Sequence, residues 1–182
     1  MDKSIVILSF SGRNGGNCEQ ISDFIEHFYM RTNVHSFKID NKIVPSCGGC
    51  NYECLRQGME CPQLTENLRR IMDSVMEADL VYYIVPNYCG YPCANYFAFN
   101  ERSVGYFNQD RNLMENYMAV KKRFIIISNT ENNFAEAMWQ QTHDQPDIFY
   151  LKSMKYQKQS IAGDLMTSEA AKADLQAFLA NE

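Results

Sequence analysis

The pattern of apolar and polar positions along the chain alternates between the periods of strands and helices. Three uninterrupted apolar runs, at 5–8, 80–85 and 124–127, have the length of strands that are buried on both faces of a sheet. A weak alternation at 34–40 predicts an edge strand, and a polar stretch at 156–161, whose lysines suit a sheet edge, predicts another. The pattern therefore predicts five strands.

Between these strands, apolar residues recur at the three- and four-residue spacing of amphipathic helices. Such helices are predicted at 19–30, at 63–77, at 95–117 with a break near Gly105, within 134–153, and after a cap at Thr167 or Ser168. Strands that alternate with helices predict an α/β fold, in which a doubly wound, five-stranded parallel sheet carries helices on both faces. No repeat or linker divides the chain, so we expect a single domain over residues 1–182.

Composition narrows the class of protein. The chain has 182 residues and a formal net charge of −5, which argues against a nucleic-acid partner because such a partner requires a basic face. No apolar segment approaches the roughly 20 residues of a membrane span. Residues 1–4 lead straight into a strand without a cleavable apolar segment, so we expect a cytoplasmic protein. The seven cysteines then suggest thiols, metal ligands or redox groups rather than disulfides.

Three loops rich in small polar residues follow predicted strands, at 9–17, 86–95 and 128–133. Ligands of such sheets bind beyond the carboxyl ends of the strands, where these loops meet. The first loop is glycine-rich and precedes a helix, an arrangement whose free backbone N–H groups bind phosphate. Ser11, Asn17 and Cys18 add side-chain donors and Arg13 adds a positive charge, although a glycine-rich loop that merely turns the chain is the alternative.

Several motifs resemble those of the flavodoxin-like NAD(P)H-dependent FMN reductases. The run Ser11-Gly12-Arg13-Asn14-Gly15-Gly16-Asn17-Cys18 resembles the phosphate loop of that family, Gly-Ser-x-Arg-x-x-Gly-Asn-Thr. Residues 78–79, 86–88 and 99–102 are similar to its Ala-Asp, Pro-x-Tyr and Phe-x-Asp-Arg elements, and Cys47-x-x-Cys50 to its Cys-x-Gly-Cys element. Phe10 and Cys18 depart from the family pattern, where glycine and threonine are usual.

The resemblance implies a flavodoxin-like fold that binds FMN, with the phosphate at the first loop and the flavin ring against the second and third. The cofactor-binding residues so implied are Ser11, Arg13, Gly16, Asn17, Cys18, Pro86, Asn87, Tyr88, Cys89, Gly90 and Asn129. Tyr88 or Tyr91 is a candidate to stack on the ring, with a core or subunit-contact position as the alternative, and Cys89 and Cys93 are interpreted as space-filling residues.

The resemblance also implies an oxidoreductase that passes electrons from NAD(P)H to a small-molecule or protein acceptor, and we expect a homo-oligomer. FMN carries the redox chemistry, so no side chain is assigned as a catalytic acid or base. The alternatives are a non-enzymatic FMN electron carrier and a scaffold that has lost the flavin. A carrier is expected to have a strongly acidic face, whereas −5 over 182 residues is only mildly acidic.

A cysteine-rich loop at about 45–62 contains four cysteines with the spacing C-x2-C-x3-C-x6-C, namely Cys47, Cys50, Cys54 and Cys61. Four thiolates are enough to hold zinc or an iron–sulfur cluster, and the resemblance extends to the iron–sulfur flavoproteins. The compact motif of those proteins has two residues between its second and third cysteines, and this chain has three. The spacing therefore favours a thiol-rich loop without metal.

Overall fold

The computed structural model describes residues 3–56, 59–108, 110–129, 138 and 141–182. Within these ranges the strands are β1 (Ser4–Ser9), β2 (Asn33–Lys38), β3 (Leu80–Tyr88), β4 (Tyr91–Pro92), β5 (Lys122–Ser128) and β6 (Asp147–Lys152). The helices of eight or more residues in the same described ranges are α1 (Asn17–Phe28), α2 (Glu66–Met76), α3 (Ala94–Phe107), α4 (Arg111–Ala119) and α5 (Glu169–Ala180). Within the described ranges, no helix is both long enough and apolar enough to cross a membrane.

The sheet has the strand order β2-β1-β3-β5-β6, and all neighbours on this path are parallel. The two-residue strand β4 pairs antiparallel with the end of β3. Five parallel strands in this order are the flavodoxin-like arrangement. The predicted fold class is thereby confirmed, and so is the edge position of the strand predicted at 34–40.

Side chains alternate between the two faces of the sheet, and each face packs under its own helices. Val6 and Leu8 of β1 belong to a buried cluster with residues of α2, α3 and α4. Ile5 and Ile7 point the other way, into a cluster with residues of α1 and α5. The central strands are buried on both sides, which is why their sequences are continuous apolar runs.

The fifth parallel strand lies at Asp147–Lys152 rather than at 156–161, where the sequence pattern placed it. Residues 147–152 of the segment 134–153, within which helices were predicted, therefore form a strand. Residues 134–137 and 139–140 of that segment lie outside the described residues. β6 pairs in parallel with β5, and at the first pair of this register the buried Arg123 donates to Asp147 Oδ2 at 2.5 Å. Residues 156–161 instead belong to 3-10 turns and the coil between them.

The helical break predicted near Gly105 does not occur there, because α3 continues to Phe107, and a second helix, α4, begins at Arg111. Asp110 caps α4, since its side chain accepts from the N–H of Asn112 at 2.9 Å. Gly105 lies inside α3, where Cys61 of the cysteine-rich loop packs against it. A side chain would not fit there, because a Cβ at this position would stand 2.5 Å from Cys61 Cβ. The predicted cap of the last helix is Ser168, whose hydroxyl accepts from the N–H of Ala171.

Candidate functional site

A cavity of about 260 Å³ lies at the carboxyl ends of the central strands. β1 and β3 are neighbours there, but the helices that follow them, α1 and α3, pack on opposite faces of the sheet. The chain therefore leaves the two strands in opposite directions and opens a crevice between them. This is the topological switch point at which doubly wound sheets bind their ligands.

The cavity brings together ten of the eleven residues that the sequence implicated. They are Ser11, Arg13, Gly16, Asn17, Cys18, Pro86, Asn87, Tyr88, Cys89 and Asn129. Gly90 does not line the cavity, and its N–H donates to Asn87 Oδ1 at 2.9 Å within the turn that follows β3. The remaining lining residues, Ile127, Ser160, Ile161 and Gly163, were not predicted.

The first loop ends at the amino terminus of α1, with Gly16 as the N-cap residue. Gly15 adopts a φ of +65°, a conformation that glycine reaches without steric cost, and this turns the chain into the helix. Its N–H donates to Glu19 Oε2 at 2.8 Å. The first N–H groups of a helix lack partners within the helix and carry its positive dipole end, so this terminus of the cavity suits an anion such as phosphate.

Phe10 and Cys18, the two residues that depart from the family pattern, lie in different surroundings, one in the core and the other at the cavity. Phe10 is fully buried and contacts the rings of Tyr83, Tyr96 and Phe99 at centroid distances of 5.4 to 5.6 Å, so it is a core residue. Cys18 lines the cavity but is only 4% exposed. Burial raises the pKa of its thiol to about 12. A neutral thiol at this position places no negative charge beside a bound phosphate.

Asn17, which the sequence suggested as a phosphate donor, makes hydrogen bonds within the protein in this structure, and its contact with phosphate stays a prediction. Its side chain is buried, its amide nitrogen donates to the carbonyl oxygen of Ser160 at 2.8 Å, and its amide oxygen accepts from the N–H of Leu165 at 3.0 Å. Asn17 therefore joins the first loop to residues 158–165, which we call the strap. Ser160 also donates its N–H to Asn129 Oδ1 at 2.8 Å, which links the strap to the third loop.

The second loop is a tight hairpin between β3 and β4. Cys89 and Gly90 both have positive φ, +53° and +87°, as the two central residues of a type I′ turn do. Asn87 steadies the hairpin by donating to Ser128 Oγ at 3.0 Å. Tyr88 lines the cavity and is 54% exposed, so its ring is suited to contact a flat ligand, whereas Tyr91, 68% exposed on the same hairpin, is not among the lining residues.

Cys93 is buried and its thiol donates to the carbonyl oxygen of Phe10 at 3.1 Å, in agreement with a space-filling role. Cys89, by contrast, is exposed at the cavity.

The described residues of the cysteine-rich loop, 45–56 and 59–62, do not line this cavity. Among the described residues, no three His, Cys, Asp or Glu side chains are arranged to hold a metal ion. Burial and the nearby thiols of Cys61, Cys50 and Cys47 raise the pKa of Cys54. The loop is anchored by Arg102, which is 2% exposed and donates to Pro45 O and Gln63 Oε1 at 2.7 and 2.5 Å. That the cysteine-rich loop holds no metal therefore stays a prediction.

The residues around the cavity fit FMN. A helix amino terminus, the Ser11 hydroxyl and the Arg13 guanidinium offer donors and positive charge at one end. Tyr88 of the hairpin adds an exposed aromatic ring to the lining. Because the cavity is open to solvent, a ligand larger than its 260 Å³ can extend from it.

No protein-family model matches the sequence, and no curated protein does. Solved structures do match in fold. The Trp repressor binding protein from Bacillus subtilis has a TM-score of 0.60 and 12% identity, with 97% of each chain covered. The flavoenzyme NAD(P)H:(acceptor) oxidoreductase FerB from Paracoccus denitrificans has a TM-score of 0.51 and 12% identity, over 98% of this chain and 96% of that one. The apo form of the NADH:FMN oxidoreductase EMOB has a TM-score of 0.51 and 13% identity, over 97% and 88%.

Proposed function

We propose that this protein is an FMN-binding oxidoreductase that passes electrons from NAD(P)H to an acceptor. The observation that carries the proposal is the convergence of ten implicated residues, from three separate loops, on one cavity beside a helix amino terminus. Two proteins of similar fold, named as an NAD(P)H:(acceptor) oxidoreductase and an NADH:FMN oxidoreductase, support the reaction class.

FMN would supply the chemistry by accepting a hydride from the nicotinamide and delivering electrons onward. The protein would bind and orient it. The helix amino terminus, Ser11 and Arg13 would hold the phosphate, and the neutral thiol of Cys18 would avoid repelling it. Backbone groups of the hairpin from Pro86 to Cys89 would contact the ring. Because the cavity is open to solvent, the nicotinamide and the acceptor could reach the bound flavin.

Titration of the purified protein with FMN tests cofactor binding. We expect quenching of flavin fluorescence and a shifted flavin absorption spectrum that saturate at one FMN per chain. A chain that leaves both signals unchanged would support the flavin-free scaffold instead.

Anaerobic mixing of the FMN complex with NADH or NADPH separates the reductase from the electron carrier. We expect bleaching of the flavin absorption by at least one nicotinamide, followed by reoxidation when an artificial acceptor such as a quinone is added. Bound FMN that dithionite reduces but neither nicotinamide does would favour the carrier.

A further inference from the structure

Two cysteines of the cysteine-rich loop meet over Gly105, where α3 has no side chain. The position that a Cβ of residue 105 would take lies 2.5 Å from Cys61 Cβ, 3.3 Å from Cys61 Sγ and 3.9 Å from Cys54 Cβ. The Cβ atoms of the two cysteines are therefore separated by at most the sum of the two Cβ distances. That limit exceeds the Cβ separation of a disulfide by no more than about 2 Å. A small movement is enough to bring the two thiols into bonding distance.

Separate contacts tie each of the two cysteines to α3. The side chain of Asn108, which caps the end of α3, donates to the carbonyl oxygen of Cys54. Nη1 of the buried Arg102 lies 4.0 Å from Cys61 Sγ. Arg102 and Asn108 stand on either side of Gly105 in the sequence of α3, so the two contacts hold both cysteines against the same stretch of this helix.

The surroundings of Cys54 agree with this placement. Burial raises the pKa of its thiol, and among the neighbouring thiols Cys61 raises it most, ahead of Cys50 and Cys47. An interaction between charges weakens with distance, so Cys61 is expected to be the nearest of the three. Cys54 also lies in a single 3-10 turn, Glu53–Leu55, which can shift without disturbing a longer helix.

We propose that Cys54 and Cys61 are a redox-active thiol pair, which hydrogen peroxide converts into a disulfide and a small thiol such as dithiothreitol reduces again. Neither cysteine lines the cavity, so this modification site goes beyond the proposed function and does not rest on it.

The difference in exposure sets the order of the steps. Cys54 is half-buried and Cys61 is only 7% exposed, so peroxide reaches Cys54 first. A bond between its sulfur and one peroxide oxygen forms as the O–O bond breaks, which gives a sulfenic acid and one water molecule. The sulfur of Cys61 then displaces that oxygen as a second water molecule, and the S–S bond forms. Two thiols thus lose two hydrogen atoms, and one peroxide is reduced to two water molecules.

Peptide mapping of the full-length protein identifies the pair. Trypsin cleaves after Arg56 and so places Cys61 in peptide 57–69, apart from the other three cysteines of the loop in peptide 43–56. The reduced protein is treated with hydrogen peroxide, denatured in an alkylating reagent and digested. We expect two fewer alkylated cysteines than the seven of the reduced chain, and a link between the two peptides that fragmentation assigns to Cys54 and Cys61. Dithiothreitol should restore all seven.

Three variants test the assignment. Cys54→Ser and Cys61→Ser should each abolish the link between the two peptides. Cys50→Ser, at another half-buried position of the same loop, is the matched control and should keep it. Because Cys61 is buried, circular dichroism checks that its variant is folded, and Cys54→Ser tests the same bond from the more accessible side.

Oxidation of the protein in urea shows whether the fold selects the pair. An unfolded chain brings many cysteines together, so we expect mixed disulfides in urea and chiefly one disulfide in the native protein. A disulfide between Cys47 and Cys50, loss of the link in Cys50→Ser, or native products that match those in urea would overturn the inference. Full alkylation of all seven cysteines after peroxide treatment would overturn it as well.

Discussion

Replacement of Arg13 by alanine should weaken the binding of FMN specifically, because Arg13 supplies the positive charge among the described residues that line the cavity. A hydrogen bond to a charged group contributes about 1.5–3 kcal/mol. Its loss corresponds to roughly a tenfold to hundredfold weaker affinity. Riboflavin lacks the phosphate and should lose little.

The structure adds a second effect of this substitution. Arg13 Nη1 also donates to Ile161 O at 3.1 Å, so Arg13→Ala removes one neutral contact of the strap, which contributes about 0.5–1.5 kcal/mol. That contact is lost whichever flavin is bound, and it therefore cancels in the ratio of the two affinities. The change in the FMN-to-riboflavin ratio isolates the interaction between the guanidinium and the phosphate.

Quenching of flavin fluorescence at low and at moderate ionic strength measures both affinities. Arg13 is exposed, so salt should screen its attraction for phosphate, and the loss in Arg13→Ala should shrink as salt is added. Arg13→Lys keeps the charge and should recover part of the affinity. If FMN and riboflavin lose equal affinity, Arg13 acts by holding the strap and not by binding phosphate.

Three further predictions concern the rest of the fold. Cys54→Ser should leave FMN content and NAD(P)H oxidation largely unchanged, because Cys54 is not among the residues that line the cavity. Iron and acid-labile sulfide in anaerobically purified protein, lost with activity in this variant, would contradict this prediction. Gly105→Ala should lower the free energy of unfolding in urea by up to about 2 kcal/mol, since the overlap with Cys61 outweighs the better helix propensity of alanine, and an unchanged midpoint would refute this. Burial lowers the pKa of Lys122 to about 7, so the unfolded chain, whose lysine has its ordinary pKa, binds more protons between pH 7 and about 10. The free energy of unfolding of the wild-type protein, relative to that of Lys122→Met, should therefore rise with pH by at most about 1.4 kcal/mol per pH unit. A difference between the two proteins that is constant from pH 7 to 9 would show that the lysine stays charged in the folded state.

Sequence reasoning located the cavity because its loops follow from the order of strands and helices. Parallel strands bring their carboxyl ends to one edge of the sheet, so loops that are distant in sequence were expected to converge. The same reasoning did not find the contact of Asn17 with the strap, because an amide can donate to a phosphate or to a backbone carbonyl. Which partner it takes depends on what lies opposite, and here that is Ser160.

The central strands, the edge strand β2, the amphipathic helix α2 and the glycine-rich loop were determined by the sequence itself. Each depends on local periodicity or on the conformational range of nearby residues. Only the tertiary structure decided β6, the place of Gly105 inside α3 and the strap over the first loop. β6 is a strand because β5 pairs with it, and Gly105 is a glycine because Cys61 packs against it. Arg13 and Ile161 are 148 positions apart, so no local pattern could join them.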